Sequence, residues 1–179
     1  ETHNYQEIAV ISVEINNQKK SKEIANIILH IPYPVVLILI YKEQIQINIS
    51  PKRSNITDVT KLVVEEQYYT NWIDTNNLTK LSSEFLSSLD SINHPFSNLK
   101  DFFTSLIKSI IAFNASEISG KFESKEDTRV LLQDIKNIEA IIQDIKSKIQ
   151  KETNFNDKVK LNIDLKTQKD RLEKLKEKL

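Results

Sequence analysis

The segment from Asp58 to Gln67 carries the one acidic arrangement in this sequence that could do chemistry. Asp58 precedes Glu65-Glu66-Gln67 on an expected strand, giving Asp followed by Glu-x-Gln. Restriction-type nucleases hold Mg²⁺ with an Asp and a Glu on adjacent strands and place a Lys one residue beyond the Glu. Here two hard carboxylates could ligate Mg²⁺ and Gln67 could orient a water. The Lys is absent, however, and carboxylates at alternating or terminal strand positions are ordinarily solvated. A divergent Mg²⁺-dependent nuclease using Asp58, Glu65 and Gln67 is therefore the alternative reading, and Mg²⁺ enters only with it. Glu14 is a second strand carboxylate, best read as an outward position on an alternating strand.

Other chemistry is narrowed by composition. His3, His30 and His94 are far apart and show no ligand spacing, so no metal site is expected from them. A single Gly in 179 residues cannot build a phosphate-cradling loop, and there is no GxSxG elbow. With no Cys there can be no disulfide framework, thiolate zinc site or Cys nucleophile, and a reducing, cytoplasmic setting is expected. Lys plus Arg and Asp plus Glu balance at 25 each, so any nucleic-acid contact must come from a local patch.

Two local patches qualify. Tyr68-Tyr69 with Trp72 reads first as structural packing at a sheet edge, with the polar tips reaching water. As the functional alternative, Tyr69 and Trp72, beside Lys52, Arg53 and Lys61, could stack on bases. Lys146, Lys148 and Lys151, with Lys158 and Lys160, make a mildly basic end to the last helices that could touch a phosphate backbone.

The elements that must position these residues follow from periodicity. IAVISVEI is a β-branched strand ending at the Asn16-Asn17 turn signal. Ile24, Ile27, Ile28 and Ile31 fall on one helical face, with Ser21 as N-cap and Pro32 and Pro34 as stops. VVLILIY is too short to span a membrane and suits a strand buried on both faces. IQINI alternates after it as a half-buried strand, with the hairpin around Lys42 to Gln44. A polar loop through Pro51, Asn55 and Asp58 leads to a further strand in TKLVVEEQYY. The first part thus reads β-α-β-β-β.

From Leu78 the pattern turns helical. Leu78, Leu81, Phe85 and Leu89 share a face, and FSNLKDFFTSLIKSIIAF supplies a second helix, the two covering a face of the sheet. Residues 114–127 hold the only Gly and read as a linker. Leu131, Ile135, Ile138, Ile142, Ile145 and Ile149 then step by 4, 3, 4, 3 and 4, a coiled-coil seam. That register fails at Glu152 and restarts in Leu161, Leu165, Gln168, Leu172, Leu175 and Leu179. The intervening ETNFND can cap and turn, so two helices folding back as an antiparallel hairpin are expected, with a single long rod as the competitor. At about 1.5 Å per residue the first helix would reach roughly 40 Å, more than a small domain needs to cap its own core. Its expected use is to engage another chain.

The order IAVISVEI, helix, IPYPVVLILIY, YYTNWI and KIQKETNFNDKVKLNIDLKTQKDRLEKL resembles the bacterial and archaeal domain-of-unknown-function family numbered 4391. Ile31-Pro32-Tyr33 and Tyr68-Tyr69-Thr70-x-Trp72 are its most specific points, and the likeness covers nearly the whole chain. Asn71 stands where that family typically has Glu, and Phe155-Asn156 where it has Gln-Asn. Family members usually carry a further N-terminal helical segment, which is expected to be missing here. Members are commonly encoded near helicases and DNA methyltransferases in restriction-like and phage-defence neighbourhoods. The resemblance implies an accessory subunit of a DNA-modifying or defence assembly, and no assigned catalytic residue.

The expectation is therefore an α+β protein: a small globular domain at 1–113, a linker at 114–127 and a helical hairpin at 128–179. It is expected to be a non-catalytic adaptor that needs no cofactor and no membrane. It would engage a helicase, a DNA methyltransferase or a second copy of itself through Leu131, Ile135, Ile138, Ile142, Ile145, Ile149, Leu165, Leu172 and Leu175, with nucleic acid as a further possible partner.

Overall fold

The computed structural model describes residues 5–28, 30–54, 62–123, 125 and 127–179. The fold is α+β and divides into two compact units, Glu1–Asn114 and Ala115–Leu179.

In the first unit β1 (Ala9–Glu14) pairs in parallel with β2 (Val35–Tyr41), and a parallel pair needs a crossover. The helix α1 (Ser21–Ile28) supplies it, after a short 3-10 turn at Gln18–Lys20. The cap differs from the expected one. The Asn17 side chain accepts the Lys19 N–H at 3.0 Å and starts the 3-10 turn, so Ser21 enters as the first, buried residue of α1. Ile24, Ile28 and Ile31 pack with Ala25 against Ile15, Val35, Leu37 and Leu39 of the sheet region. Ile27, placed on the same stripe by spacing, is exposed, because the buried face centres on Ser21 and Ala25 and turns away from it.

A two-residue turn with Lys42 at φ 52 returns the chain as β3 (Gln44–Ser50), antiparallel to β2. The pairings Ile38↔Ile47 and Val36↔Ile49 put isoleucines on one face, while Leu39↔Gln46, Leu37↔Asn48 and Val35↔Ser50 lie on the face under α1. Strand order β1-β2-β3 leaves β2 in the interior of the sheet, as its unbroken apolar run requires.

Beyond Ser50 the structure departs from a single further strand. β4 (Lys52–Ser54) pairs with β5 (Leu62–Val64) in a separate two-stranded sheet, and β6 (Tyr68–Tyr69) and β7 (Ile73–Asp74) then return to the free edge of β3. TKLVVEEQYY is thus split between two sheets, with Glu65, Glu66 and Gln67 in the irregular crossing between them. Asp58 and Lys61 lie outside the described residues.

Two helices follow. α2 (Lys80–Ser88) is capped by Thr79, whose side chain accepts the Ser82 N–H at 3.1 Å. α3 (Leu99–Ser119) opens on Asn98, whose side-chain oxygen accepts the Asp101 N–H at 2.8 Å, and the Asp101 carboxylate accepts in turn from Ser97 and Asn98. Phe85 and Phe113 stack at 4.4 Å across α2 and α3, and both are buried together with Phe103 and Ile110. These rings are the unit's apolar counterpart to Ile47, Ile49 and Ile73, which are also buried. α3 runs on to Ser119, so residues 114–119 of the expected linker are helical. Gly120 ends it at φ 76, with its N–H on the Ser116 carbonyl at 2.8 Å.

The second unit contains α4 (Thr128–Lys151) and α5 (Phe155–Lys176), packed on each other. The Glu152 carboxylate accepts from the N–H groups of Thr153 and Asn154 at 2.8 Å each, and Asn154 caps α5 by accepting from Asn156 and Asp157. A connection this short forces the helices antiparallel, so the chain forms the hairpin and not the rod. Its core is Ile135, Ile138, Ile142 and Leu172, flanked by Leu165, Leu175 and Leu179.

Two stability predictions follow from buried polar groups. His94 is buried, with Nδ1 2.6 Å from Ser105 Oγ and its ring edge-on to Phe102. Burial holds its imidazole below the ordinary 6.5, against the opposing pull of the Ser88 carbonyl and Asp90. Between the ordinary value and the lowered one the unfolded chain binds a proton that the native chain refuses. Stability is therefore fully present above pH of about 6.5 and falls as pH drops through that window. Thermal melts from pH 8 to 5 should show this loss and His94→Gln should flatten it; an unchanged slope in the variant would assign the effect to other groups. In the hairpin, Gln168 Oε1 is buried without a hydrogen-bond partner among the described residues. Gln168→Leu should raise the stability of the α4–α5 pair by about 1–3 kcal/mol in chemical denaturation, and a loss of stability would show that the amide is satisfied.

Candidate functional site

On the α1 face of the sheet, the strand β3 turns polar where β1 and β2 are apolar. Ile11 and Val13 partner Leu37 and Leu39, whereas the next strand offers Gln46, Asn48 and Ser50 at the same level. Asn48 and Ser50 are nonetheless buried, at 6% and 1% exposure. Buried amides are costly unless bonded, and these are. The Ser50 hydroxyl donates to Asn48 Oδ1 at 2.9 Å, Asn48 Nδ2 donates to Gln67 Oε1 at 3.3 Å, and Gln67 Nε2 donates to Asn26 Oδ1 of α1 at 3.3 Å. Gln67 thus bridges the sheet to the helix.

Where this chain of amides runs, α1 stands off β3 and leaves a cleft of about 380 Å³. Ser21, Lys22, Ala25 and Asn26 form its helix wall, Gln46 and Asn48 its floor, and Glu65, Gln67 and Tyr69 its far side. The Lys22 ammonium lies 6.0 Å from the centroid of the Tyr69 ring.

Thr70 holds this wall in place. β6 and β7 pair with opposite ends of β3, leaving Gln46 and Ile47 between them without a strand partner on the edge away from β2. Fully buried Thr70 fills the gap: its N–H donates to the Ile47 carbonyl at 2.9 Å, its Oγ1 accepts the Ile47 N–H at 3.1 Å, and its carbonyl accepts from Gln46 Nε2 at 2.9 Å. The neighbouring Tyr69 carbonyl accepts from Asn114 Nδ2 of α3 at 3.0 Å.

Of the residues suggested for a nuclease, Glu65 and Gln67 both reach the cleft, from the irregular crossing and not from a strand. Glu65 pairs with Arg53 at 3.7 Å, and Gln67 is engaged by two amides. Among the described residues no group of three His, Cys, Asp or Glu is disposed to hold a metal ion. The two aromatic residues proposed to stack on bases are separated: Tyr69 lines the cleft, whereas Trp72 packs on the apolar cluster and meets Tyr41 edge-on at 6.4 Å. The basic residues set beside them part as well. Lys52 is buried, and burial lowers its pKa, while Arg53 belongs to Glu65. Tyr5, edge-on to Phe103, is raised by burial, with the Lys52 backbone opposing and Glu65 adding to the rise.

The residues assigned to partner binding occupy the interior of the hairpin. Ile135, Ile138, Ile142 and Leu172 are buried against one another, with Ile145 buried and Leu131, Ile149, Leu165 and Leu175 half-buried on the same seam. What the hairpin leaves outside is a second apolar stripe on α5, made of Phe155, Val159 and Ile163 at 77%, 42% and 60% exposure. At 100° per residue these lie opposite Leu161, Leu165 and Leu172. At the turn end, Lys146 and Lys151 are exposed, Lys148 is bridged to Asp144 at 2.7 Å, and Lys160 to Asp157 at 2.9 Å, an interaction that raises the Lys160 pKa.

Sequence reasoning missed the cleft's floor. Its signal is Gln46-x-Asn48-x-Ser50, the polar side of a strand that alternation reads as half-buried. No helix among the described residues is long and apolar enough to cross a membrane. No curated protein and no solved structure matches the chain. The family model described as a domain of unknown function, DUF4391, matches residues 1–172, and the chain belongs to that family.

Proposed function

We propose that this protein is a non-catalytic adaptor that docks onto a larger protein through the outer face of its C-terminal hairpin. The observation that carries this reading is the Phe155, Val159 and Ile163 stripe. α5 buries one apolar face against α4 and then exposes a second one on the opposite side, an apolar strip of the kind an amphipathic helix lays into a groove. Phe155, at 77% exposure, is the most exposed side chain of the three, and what marks the stripe is that three such residues lie together.

The size of the stripe argues for a groove on a larger partner and against a second copy. Three side chains over about 12 Å of helix, doubled by symmetry, fall well short of the roughly 1,200 Å² that a stable interface buries. A groove encloses the same three residues from several sides. The family likeness suggests where such a partner is to be sought, among the helicases and DNA methyltransferases of restriction-like or phage-defence assemblies, in the cytoplasm. The cleft supports the non-catalytic part of the reading: its Glu65 is paired with Arg53, and its Gln67 is committed to structure.

The test is light scattering of the full chain over a dilution series, alone and with a helicase or DNA methyltransferase of a restriction-like assembly from the same source. The wild type should be monomeric alone and gain mass with that enzyme. Phe155→Glu combined with Ile163→Glu should weaken the complex at least about a hundredfold, because anchors in a groove carry 2 kcal/mol or more each. Its melting temperature should stay unchanged, since neither residue touches the seam. A self-dimer, or a complex indifferent to the double substitution, would sink the proposal.

A further inference from the structure

We infer that the cleft between α1 and β3 is a binding site for a nucleobase carrying a phosphate, supplied either as a free mononucleotide or as an unstacked nucleotide of a single strand. The inference is independent of the hairpin and rests on three features of the cleft.

The first is a set of hydrogen-bonding groups that the fold has oriented and not used up. Gln46 donates through Nε2 to Thr70, which fixes its plane and leaves Oε1 as an acceptor with no protein donor among the described residues. Asn26 accepts through Oδ1 from Gln67, which leaves its NH₂ as a donor in the same sense. Both side chains line the cleft. A fixed donor on the helix wall and a fixed acceptor on the floor complement the edge of a base, which presents donors and acceptors in one plane. Thr70 holds the plane of Gln46, and Gln67, itself held by Asn48, holds that of Asn26. This is preorganisation: the ordering cost of the amides is met on folding and not on binding.

The second feature is the Tyr69 ring at the rim, half-exposed on β6 with its backbone tied to α3. A ring held at the mouth of an amide-lined cleft is a surface for stacking. The third is Lys22, exposed on α1, whose ammonium stands 6.0 Å from that ring's centroid. A contact this long is the weak limit of a cation–π interaction, so the charge is available to an anion attached to whatever stacks there. The other charges at the cleft, Glu65 and its partner Arg53, offset each other. The net result is planar hydrogen bonding, an aromatic face and one positive charge, in a space of about 380 Å³ that suits a small ligand.

The experiment is calorimetric titration of the full chain with AMP, GMP, CMP and UMP, with adenosine, with ribose 5-phosphate, and with a five-residue oligodeoxyadenylate. Saturable binding of at least one mononucleotide, with ribose 5-phosphate at least about tenfold weaker, is expected. Tyr69→Leu should reduce affinity at least about tenfold, in line with the loss of one base–aromatic stack. Lys22→Gln, an exposed helix position that should not disturb folding, should bring AMP down to the affinity of adenosine. Binding of the oligonucleotide without the mononucleotides would support the site and identify a strand as its source. Absence of saturable binding by any probe at millimolar concentration would overturn the inference. So would equal affinity for AMP and ribose 5-phosphate, or an AMP affinity unchanged in Lys22→Gln.

Discussion

Three hydrogen bonds from one residue hold the sheet domain in its working form. Thr70 meets both backbone polar groups of Ile47 and the side chain of Gln46, in the gap that β6 and β7 leave along the edge of β3 away from β2. Without them, a buried N–H and a buried C=O in the middle of β3 would lack partners, each at a cost of about 1–3 kcal/mol. Their placement also decides which residues face which way. With Ile47 held, the period of two puts Ile45, Ile47 and Ile49 on one face and Gln46, Asn48 and Ser50 on the other. A slip of one residue would exchange the two sets and drive three polar side chains onto the face where Ile47 and Ile49 are buried. The cleft exists because that exchange is prevented, at the Lys42 turn on one side and at Thr70 on the other.

The hairpin depends on a simpler constraint. Three residues, Glu152 to Asn154, reverse the chain, and their side chains satisfy the first N–H groups of α5. Once α4 and α5 are held side by side, the seam can use only one stripe of each helix. α4 buries Ile135, Ile138, Ile142 and Ile145 and leaves Val130 and Ile141 exposed beside them. α5 is apolar on two opposite sides, and only the Leu161 to Leu179 side faces α4.

Much of this was legible in the residues. The unbroken run at Val35–Tyr41, the alternation at Gln44–Ser50 and the two heptad registers each report a burial pattern directly, because periodicity and burial are the same fact seen twice. The cleft was legible only in part. Alternation states that one face of β3 differs from the other, but not that a helix arriving from an earlier part of the chain will enclose the polar face. That depends on the parallel pairing of β1 with β2, which carries α1 over the sheet. The split of TKLVVEEQYY was hidden for a related reason: β-branched and aromatic residues run through it without a Gly or Pro, so nothing local marks Glu65 to Gln67 as a crossing between sheets. Likewise, the limit of α3 at Ser119 was masked by helix-neutral residues at 114–119, and only Gly120 marks the stop.

The two units depart from the ordinary rule of burial in opposite directions. One places carboxamides under a helix, where leucine would pack as well and need no partners; the other leaves phenylalanine, valine and isoleucine on the outside of a helix whose core is already complete. Each departure costs stability relative to the simple alternative, and neither is required by the fold. The hydrogen-bond network of Asn26, Asn48 and Gln67 offsets the first cost without removing the reason to ask for one, and nothing within the hairpin offsets the second. Residues that weaken local consistency without serving the fold are the ones that selection for folding alone would replace. On that argument the polar floor of the cleft and the outer stripe of α5 are the two surfaces from which the proposed contacts start, a small planar ligand at the first and a large apolar groove at the second.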